Sequence, residues 1–587
     1  MMKLKRRNLL KIGAVASLAS LATNVKAAFV RKPAARTTFG SKKYEQIVRA
    51  VRNTFPSPTH DGASDSRFSR LFSEALGIYE GLKSNKTFIG KRGALDYKGA
   101  RKARMATEMG NPRAVIRDSA KYLEGIFTWS HPDVHRLHGS ATGVSIIGQF
   151  YGALVDANLV WDDLSQRVAE AEVKAVSMCA ALVGYDPDIA TGVFTFGGTG
   201  TTLYGVKIGL ETAQPGAFQD GVKQQMRVLS SDVAHYASIS AVAWTGMGAA
   251  AAIAVPSDDD NSINLAALEK SLRQIIGRGE KIAAIVVTMG TTDSFGIDDI
   301  GAIHALRARL IAEYKLDYIP HLHADAVIGW SYSVFNDYDF GANPLEIPAP
   351  ASAALQRIRA RMQHLSLADS IGIDFHKSGY TPYMSSLILV KDAKQFSLIR
   401  RDKAAMPYLF QFGEYDPGIY TLECSRSGGP VLSALANLEL LGKDGFRGIL
   451  SHSIDMALAI KRRAAAIPWL AVANDGNDGA IAVLRVYPDG IAAKDAYPHE
   501  VRDAAARGRL AMVNEFNKKV YDETRRMAEA GDSPVFVETT RYRKTAYGEA
   551  IVGIKVFTLS IFTDPDAIEN VFTALETARK KVLAGRA

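Results

Sequence analysis

The chain contains very little of the material from which disulfide frameworks and metal centres are built. Only two of its 587 residues are cysteine, Cys179 and Cys424. They allow at most one disulfide, and the sequence does not show whether they meet. No CxxC or HExxH spacing occurs, so we predict no metal site. Internal repeats and low-complexity tracts are also missing, which excludes solenoids and propellers.

Clustered positive charge is missing from most of the chain. The formal net charge is +10, but six basic residues and no acidic residue lie within the first 27 positions. Without those six the chain carries about +4, scattered along the sequence. Nucleic-acid binding requires a concentrated basic surface. We therefore predict a small-molecule substrate and no nucleic-acid partner.

The sequence has no apolar run of membrane-spanning length near its N-terminus, where the uncharged stretch is only twelve residues long. The basic stretch KRRNLLK precedes the twelve uncharged residues IGAVASLASLAT and then Val25–Ala27. This order is typical of an export signal with cleavage after Ala27, and the run is too short for a stable membrane span. Arg6 and Arg7 indicate the twin-arginine type, which exports folded proteins, so we expect a periplasmic enzyme. An ordinary basic signal or an uncleaved anchor is the alternative.

Patterning along the remaining chain predicts three regions after the signal at 1–27. Residues 28–130 are mainly helical in pattern. Residues 131–415 alternate glycine-punctuated apolar strands with helical runs, which predicts an α/β domain on a mainly parallel sheet. Residues 416–587 begin with a helix and continue as a smaller α+β domain. Its predicted strands are AIAVLRVYP and IVGIKVFTLSIFT.

Polar residues follow several predicted strands of the central region, where ligands bind in parallel sheets. GGTGTT follows TGVFTF and opens a helix, an arrangement that suits a phosphate, although such glycine turns are often only structural. Asp325 ends HLHAD and either pairs with a cation or caps a helix. His235 follows a third strand, where a lone histidine is more often structural. Lys377 follows ADSIGID, where a lysine must be paired, exposed or used covalently.

These residues together match the requirements of pyridoxal phosphate. This cofactor needs an amine for covalent attachment, a phosphate cup, a carboxylate beside its pyridine nitrogen and a flat group on its ring. The ordered motifs GGTGTT, AHYAS, GTTDSFGIDDI, HADA and DFHKSGYTPY resemble the group II pyridoxal-phosphate-dependent amino-acid decarboxylases. The resemblance covers roughly residues 120–460. It implies the aspartate aminotransferase-like fold (PLP fold type I), a small C-terminal domain and a homodimer.

The resemblance also implies a role for each matched residue. Lys377 would bond to the cofactor, Asp325 would pair with its pyridine nitrogen, and His235 would stack on its ring. The remaining implied cofactor contacts are Ala326 on the opposite ring face, Thr199 and Gly200 at the phosphate, His376 at phosphate or substrate, and Thr292 in the pocket wall. Tyr383, in the run GYTPY, resembles a pocket tyrosine of the bacterial aromatic decarboxylases and would donate a proton after decarboxylation.

Two departures and two alternatives accompany this resemblance. Trp330 stands in HADAVIGW where the family has a small residue, and SQRVAEAE lacks a proline that the family carries near the substrate entrance. Both departures put the substrate side chain in question. A tyrosine-like aromatic substrate is favoured, with glutamate or aspartate behind it. The alternatives are a carbon–carbon lyase resembling sphingosine-phosphate lyase and a catalytically silent pyridoxal-fold binding protein.

Overall fold

The structure is a computed structural model that describes residues 42–56, 62–407, 413–531, 533–540 and 542–585. The predicted signal peptide at 1–27 and its cleavage point lie outside the described residues. In the described part of the chain, no helix has both the length and the apolar character needed to cross a membrane. Cys179 and Cys424 are not bonded to each other, and Cys179 is buried in the core.

Helices are the most common element of the described chain. Their bounds are α1 (Lys42–Arg52), α2 (Gly62–Leu82), α3 (Tyr97–Ala100), α4 (Pro112–Ser119), α5 (Gly143–Val155), α6 (Asp162–Ser165), α7 (Arg167–Val183), α8 (Gly198–Ala213), α9 (Ala217–Asp220), α10 (Ala237–Trp244), α11 (Leu265–Gly277), α12 (Ile300–Tyr314), α13 (Ala349–Met362), α14 (Gly429–Ala465), α15 (Ala493–Arg502), α16 (Arg507–Ala530) and α17 (Pro565–Leu583). Helix α14 changes direction at Gly442, whose φ of 54° belongs to the left-handed region that glycine tolerates.

The strands form two sheets. Their bounds are β1 (Thr191–Thr195), β2 (Met226–Ser231), β3 (Ala252–Val255), β4 (Lys281–Thr288), β5 (His321–Asp325), β6 (Ser370–Asp374), β7 (Ser386–Val390), β8 (Leu470–Val472), β9 (Ile481–Val486), β10 (Val537–Thr539) and β11 (Gly553–Phe557). The larger sheet has the order β1-β7-β6-β5-β4-β2-β3, and the smaller has the order β10-β11-β9-β8.

The larger sheet is mainly parallel and buried on both faces. Strands β3, β2, β4, β5 and β6 run parallel, and β7 runs antiparallel between β6 and β1. Every residue of β5, β6 and β7 is buried, as expected for strands that helices cover on both sides. Helix α8 packs on β4, β5, β6 and β7, and α7 and α11 also pack on the sheet. This arrangement confirms the predicted α/β architecture of the PLP fold type I class.

The smaller sheet is wholly antiparallel and lies in the C-terminal part of the chain. Its strands pack on α14, α15 and α16, and α17 in turn packs on α16 and α14. Within this region, Arg485 is fully buried and paired with Glu500. A charge taken from water is tolerated in a core only with such a partner.

The distribution of contacts divides the chain into two units. One contains residues up to Gly81 together with Lys102–Tyr122, and within it the Nε of Arg113 lies 3.2 Å from a carboxylate oxygen of Glu74. The other contains Leu82–Arg101 and Leu123–Ala587, and therefore both sheets. The predicted boundaries at residues 130 and 415 stay predictions.

Candidate active site

The predicted site residues follow five strands of the larger sheet that end at the same edge. Strands β6, β5, β4 and β2 are parallel neighbours, and β1 has the same direction because it and β6 both pair antiparallel with β7. Binding sites of open α/β sheets lie at this carboxyl edge. The residues along it are Thr199 and Gly200 after β1, His235 after β2, Thr292 after β4, Asp325 and Ala326 at β5, and His376 and Lys377 after β6.

Lys377 is a largely buried lysine, with 12% of its side chain exposed, and it pairs with an acid that the sequence alone did not single out. Its Nζ lies 2.9 Å from Oδ2 of Asp374, the last residue of β6. Burial by itself would lower the pKa of Lys377, but its anionic neighbours, Asp374 above all, together outweigh burial, so the pKa is raised. Asp325 and Tyr383 act on the pKa in the same direction as Asp374. Lys377 therefore carries a positive charge in a site with two nearby carboxyl groups.

Asp325 is a buried carboxyl group with a free oxygen. Its Oδ1 has no hydrogen-bond partner among the residues that the structure describes. Burial raises the pKa of Asp325 to about 6, although the positive charge of Lys377 opposes this. The next residue, Ala326, is fully buried. A buried acceptor without a donor costs free energy, so this oxygen is suited to an N–H group that none of the described residues provides.

Aromatic rings form a continuous series beside Lys377. The rings of His376 and Tyr383 have centroids 4.0 Å apart, those of Tyr383 and His138 are 5.0 Å apart, and those of His138 and Trp129 are 4.7 Å apart. Burial lowers the pKa of His376, and it lowers the pKa of His138 to about 4. Both imidazoles are therefore neutral at pH 7, and the series presents uncharged aromatic surface near the lysine.

The start of α8 forms the predicted phosphate cup. The first N–H groups of a helix have no partner within it, and the helix dipole favours an anion there. A Cβ on Gly200 would lie 2.8 Å from Oγ1 of Thr195, and one on Gly198 would lie 3.0 Å from Oδ2 of Asp374. Glycine is therefore required at both positions, and the helix start lies directly against the Asp374–Lys377 pair.

His235 and Thr292 lie at the same edge but farther along it than Lys377. Strands β4 and β5 separate β2, which His235 follows, from β6. Nδ1 of His235 accepts a hydrogen bond of 3.2 Å from the N–H of Ala237, at the start of α10. The carbonyl oxygen of Thr292 lies 3.3 Å from Nζ of Lys555, which comes from β11 of the smaller sheet.

Sequence reasoning missed the roles of three residues around this site. Asp374 was visible in DFHK, three positions before the lysine, which is a spacing that allows contact. His138 and Lys555 carry no such signal, because they come from segments more than 170 residues away from Lys377 along the chain. Lys555 is buried and paired with Asp293 at 2.5 Å. Only the folded chain shows that these two residues belong to this region.

Trp330 does not have the effect that the sequence suggested. It is fully buried, and its Nε1–H donates a 3.2 Å hydrogen bond to the carbonyl oxygen of Asp374. Its ring packs edge-on against Phe375. The side chain therefore supports the end of β6 within the core instead of reshaping an open pocket.

Three features of this sheet edge match the chemical groups of pyridoxal phosphate. A largely buried amine, an acceptor oxygen lacking a donor, and the glycine-rich start of a helix correspond to its aldehyde, pyridine nitrogen and phosphate. Together with the sheet topology, they define the class of pyridoxal-phosphate-binding enzymes of fold type I.

Comparisons with known proteins show which members of this class the chain is similar to. Residues 100–335 match the model of the pyridoxal-dependent decarboxylase conserved domain. An L-2,4-diaminobutyrate decarboxylase of Acinetobacter baumannii is 23% identical over 89% of this chain and 95% of its own length. An L-tyrosine decarboxylase of Enterococcus faecalis is 27% identical over 38% of this chain and 37% of its own.

A solved structure has the same fold. The crystal structure of Oryza sativa TDC with PLP and tryptamine superposes with a TM-score of 0.70 at 14% identity, covering 90% of this chain and 100% of that one. The protein is thus a pyridoxal-phosphate-dependent amino-acid decarboxylase. The carbon–carbon lyase and the silent binding protein are not favoured by these matches.

Proposed function

We propose that the protein decarboxylates an aromatic, tyrosine-like L-amino acid to its amine and CO2. The observation that carries this choice of substrate is the series of rings from His376 through Tyr383 and His138 to Trp129 beside Lys377. Aromatic side chains pack favourably against such rings in offset or edge-on geometry. The similarity to a tyrosine decarboxylase supports the same substrate class, whereas the similarity to a diaminobutyrate decarboxylase leaves a basic side chain as the competitor.

Each residue at the sheet edge has a role in this proposal. When bound, pyridoxal phosphate accepts the electron pair that CO2 leaves on the α-carbon. Lys377 supplies the amine for cofactor attachment, and Asp325 holds a proton at the pyridine nitrogen. Thr199 and Gly200 would hold the phosphate, and Ala326 and His235 would contact the ring. His376 contacts phosphate or substrate, and Thr292 completes the pocket wall.

Tyr383 is the proposed proton donor to the α-carbon, and its position bears on the assembly. It neighbours Lys377 and His376, yet 66% of its surface is exposed in the single chain. Decarboxylation benefits from a site closed to water, which protects reactive intermediates. The exposure of this tyrosine supports a site that another surface completes.

Helix α5 offers that surface, and we propose that a second copy of the chain docks on it. Its small residues face inward, since a Cβ on Gly148 would lie 2.7 Å from the carbonyl oxygen of Leu432 in α14. Most of its large apolar residues are exposed and four of them form one stripe, which is the reverse of an ordinary surface helix. The stripe consists of Val144, Ile147, Tyr151 and Leu154.

The position of α5 connects this stripe to the site. Oγ of Ser145 donates a hydrogen bond of 3.2 Å to the carbonyl oxygen of Tyr380, in the loop between Lys377 and Tyr383. The N–H of Thr142 donates to the same oxygen at 3.0 Å. A partner seated on α5 would therefore adjoin Tyr383, which supports a homodimer with active sites near its interface.

We also propose export to the periplasm by the twin-arginine route. The support is the order of basic, uncharged and small residues in the first 27 positions, with Arg6 and Arg7 paired. A route that carries folded proteins suits an enzyme whose cofactor site is assembled from residues after five strands and therefore forms only on folding.

The substrate proposal is tested by amine and CO2 release over a panel of amino acids. The panel contains tyrosine, tryptophan, 2,4-diaminobutyrate, aspartate and glutamate. We expect kcat/KM for tyrosine to exceed that for each non-aromatic amino acid by at least about tenfold, a difference of about 1.4 kcal/mol in transition-state binding. Preference for diaminobutyrate or an acidic amino acid would contradict the aromatic assignment while leaving the decarboxylase class intact.

The Lys377→Ala variant provides the matched test of the cofactor site. We expect it to lose the visible absorbance of the bound cofactor and all measurable decarboxylation, because no other amine takes the place of Nζ. An Ala substitution at the exposed Lys580 is the control and leaves both unchanged. Retained absorbance in Lys377→Ala would show that the cofactor is attached elsewhere.

A further inference from the structure

Asp374 is the charged group that most directly contacts Lys377. Only 1% of its side chain is exposed. Its Oδ1 accepts a 2.5 Å hydrogen bond from Oγ of Ser386, and its Oδ2 lies 2.9 Å from Nζ of Lys377. Nε2 of His376 is 3.5 Å from the same Oδ2. By contrast, Asp325 influences Lys377 electrostatically but makes no hydrogen bond to it in the described structure.

The same carboxylate lies against the phosphate cup. A Cβ on Gly198, the first residue of α8, would be only 3.0 Å from Oδ2 and 3.3 Å from Oδ1 of Asp374. A phosphate at this helix start would therefore approach a carboxylate. Two anions close together in a site largely shielded from water repel each other strongly unless one of them takes up a proton.

Cofactor attachment requires a change of charge at Lys377, the other member of this ion pair. An amine attacks an aldehyde only in its neutral form, so the Lys377 ammonium must first lose a proton. The carboxylate oxygen nearest to that proton is Oδ2 of Asp374. One proton transfer from Lys377 to Asp374 would thus neutralise both side chains. It would remove the positive charge that prevents attack by the amine and the negative charge that repels a phosphate.

We propose that Asp374 is a positioning residue that holds the Lys377 ammonium and accepts its proton when the cofactor binds. The transfer moves one proton from Nζ to Oδ2, so that an ammonium and a carboxylate become an amine and a carboxylic acid. The pair has no net charge before or after the transfer, and Ser386 continues to donate to Oδ1. The neutral acid is then compatible with an anion at the start of α8.

The other charged or titratable groups facing the pair do not replace Asp374 in this role. Burial keeps His376 and His138 neutral by lowering the pKa of each. Tyr383 and Asp325 raise the pKa of Lys377, but both act less strongly than Asp374. The free Oδ1 of Asp325 is also the acceptor that we assign to the pyridine nitrogen. The inference therefore rests on the proposed cofactor site and extends it to one further residue.

The test measures the pH dependence of amine labelling at Lys377 in the full-length chain after removal of the cofactor. Acetic anhydride modifies neutral amines, and peptide mass spectrometry separates Lys377 from the exposed Lys580, which serves as internal reference. In the wild type we expect labelling of Lys377 to have a midpoint at higher pH than that of Lys580. In Asp374→Asn the midpoint falls by at least one pH unit, so labelling at pH 8 rises about tenfold or more.

Two further variants separate charge from packing. Ser386→Ala removes the other partner of the carboxylate but keeps its charge, so the Lys377 midpoint stays above that of Lys580. Asp325→Asn removes the weaker charge, and the midpoint falls by less than in Asp374→Asn. Circular dichroism at each pH confirms that the variants are folded.

Three outcomes decide the inference. Equal midpoints in wild type and Asp374→Asn would overturn it. If the Asn variant fails to fold, a wild-type midpoint at or below that of Lys580 would overturn it as well. Protection of wild-type Lys377 by added pyridoxal phosphate is the separate check on the cofactor site, and its failure would sink the proposed role of Lys377 whatever the Asp374 comparison gives.

Discussion

At the scale of single residues, the site places two buried acids in different surroundings around one lysine. Asp374 accepts a hydrogen bond from Ser386 at Oδ1 and pairs with Lys377 at Oδ2. Asp325, by contrast, has an oxygen without a hydrogen-bond partner in the described structure, and burial raises its pKa to about 6. Groups with perturbed pKa values are frequent at functional sites. Here the difference assigns one acid to the lysine and the other to the cofactor.

The free carboxyl of Asp325 leads to a prediction in which activity and stability change in opposite directions. In Asp325→Asn we expect cofactor attachment to persist and kcat to fall on the order of 100-fold or more, because a neutral amide holds the pyridine proton poorly. Without cofactor, the same variant is more stable than the wild type at pH 8, by about 3 kcal/mol at most. The measurements are steady-state kinetics and urea unfolding of the cofactor-free chain.

The sign of the pH dependence follows from the raised pKa. A carboxyl whose pKa is higher in the folded than in the unfolded state binds protons preferentially when folded, so folding gains stability as pH falls from above 6 toward 4. The wild type has this gain and Asp325→Asn does not. The stability difference between them should therefore shrink over that range. A difference that is constant with pH would contradict the assignment.

At the scale of elements, α5 and α8 use glycine for different purposes. In α8 the glycines let the side chains of Thr195 and Asp374 approach the helix start, and in α5 Gly148 and Gly152 allow close packing on α14. The cost of glycine within a helix is roughly 1 kcal/mol per residue. Close packing on α14 leaves the large apolar residues of α5 on its outer side, where only another surface can bury them.

The outer stripe of α5 predicts a specific effect on assembly. We expect Ile147→Glu to convert a dimer into monomers in analytical ultracentrifugation and to reduce activity, because a charge would be buried at the centre of the interface. The matched control is Ile189→Glu, since Ile189 and Ile147 are each 51% exposed but Ile189 lies outside α5. Identical sedimentation of both variants, as dimers or as monomers, would rule out α5 as the interface.

At the scale of the whole molecule, the active site combines residues from distant parts of the chain, which bears on the proposed export route. The larger sheet combines strands from Thr191 to Val390, and the site draws Lys555 from a segment still farther along the chain. Such a site exists only after most of the chain has been synthesised and folded. Transport of the folded protein is consistent with this requirement.

The export route is tested by substitutions that preserve charge. In Arg6→Lys/Arg7→Lys we expect the enzyme to remain in the cytoplasmic fraction, because the twin-arginine route is selective for arginine. Lys3→Arg/Lys5→Arg is the charge-preserving control and should reach the periplasm. Periplasmic enzyme from both double variants would indicate an ordinary basic signal instead. The measurement is decarboxylase activity in periplasmic and cytoplasmic fractions.

The sequence by itself determined the fold class and the identity of the cofactor. Continuous apolar strands alternating with helices specify a parallel sheet, because strands buried on both faces need apolar residues throughout. The carboxyl ends of these strands are fixed by the same pattern, so Asp325 and Lys377 could be placed at one edge before any coordinates. The motif order then limited the cofactor to pyridoxal phosphate.

Only the tertiary structure decided which groups touch Lys377. Contact between His138 and Tyr383, or between Lys555 and Asp293, joins segments hundreds of residues apart, and no periodicity encodes such pairs. The structure also placed Trp330 in the core, where volume and a donor to the Asp374 carbonyl determine its position. Local pattern specifies elements, whereas packing and desolvation, which depend on all neighbours at once, specify the site.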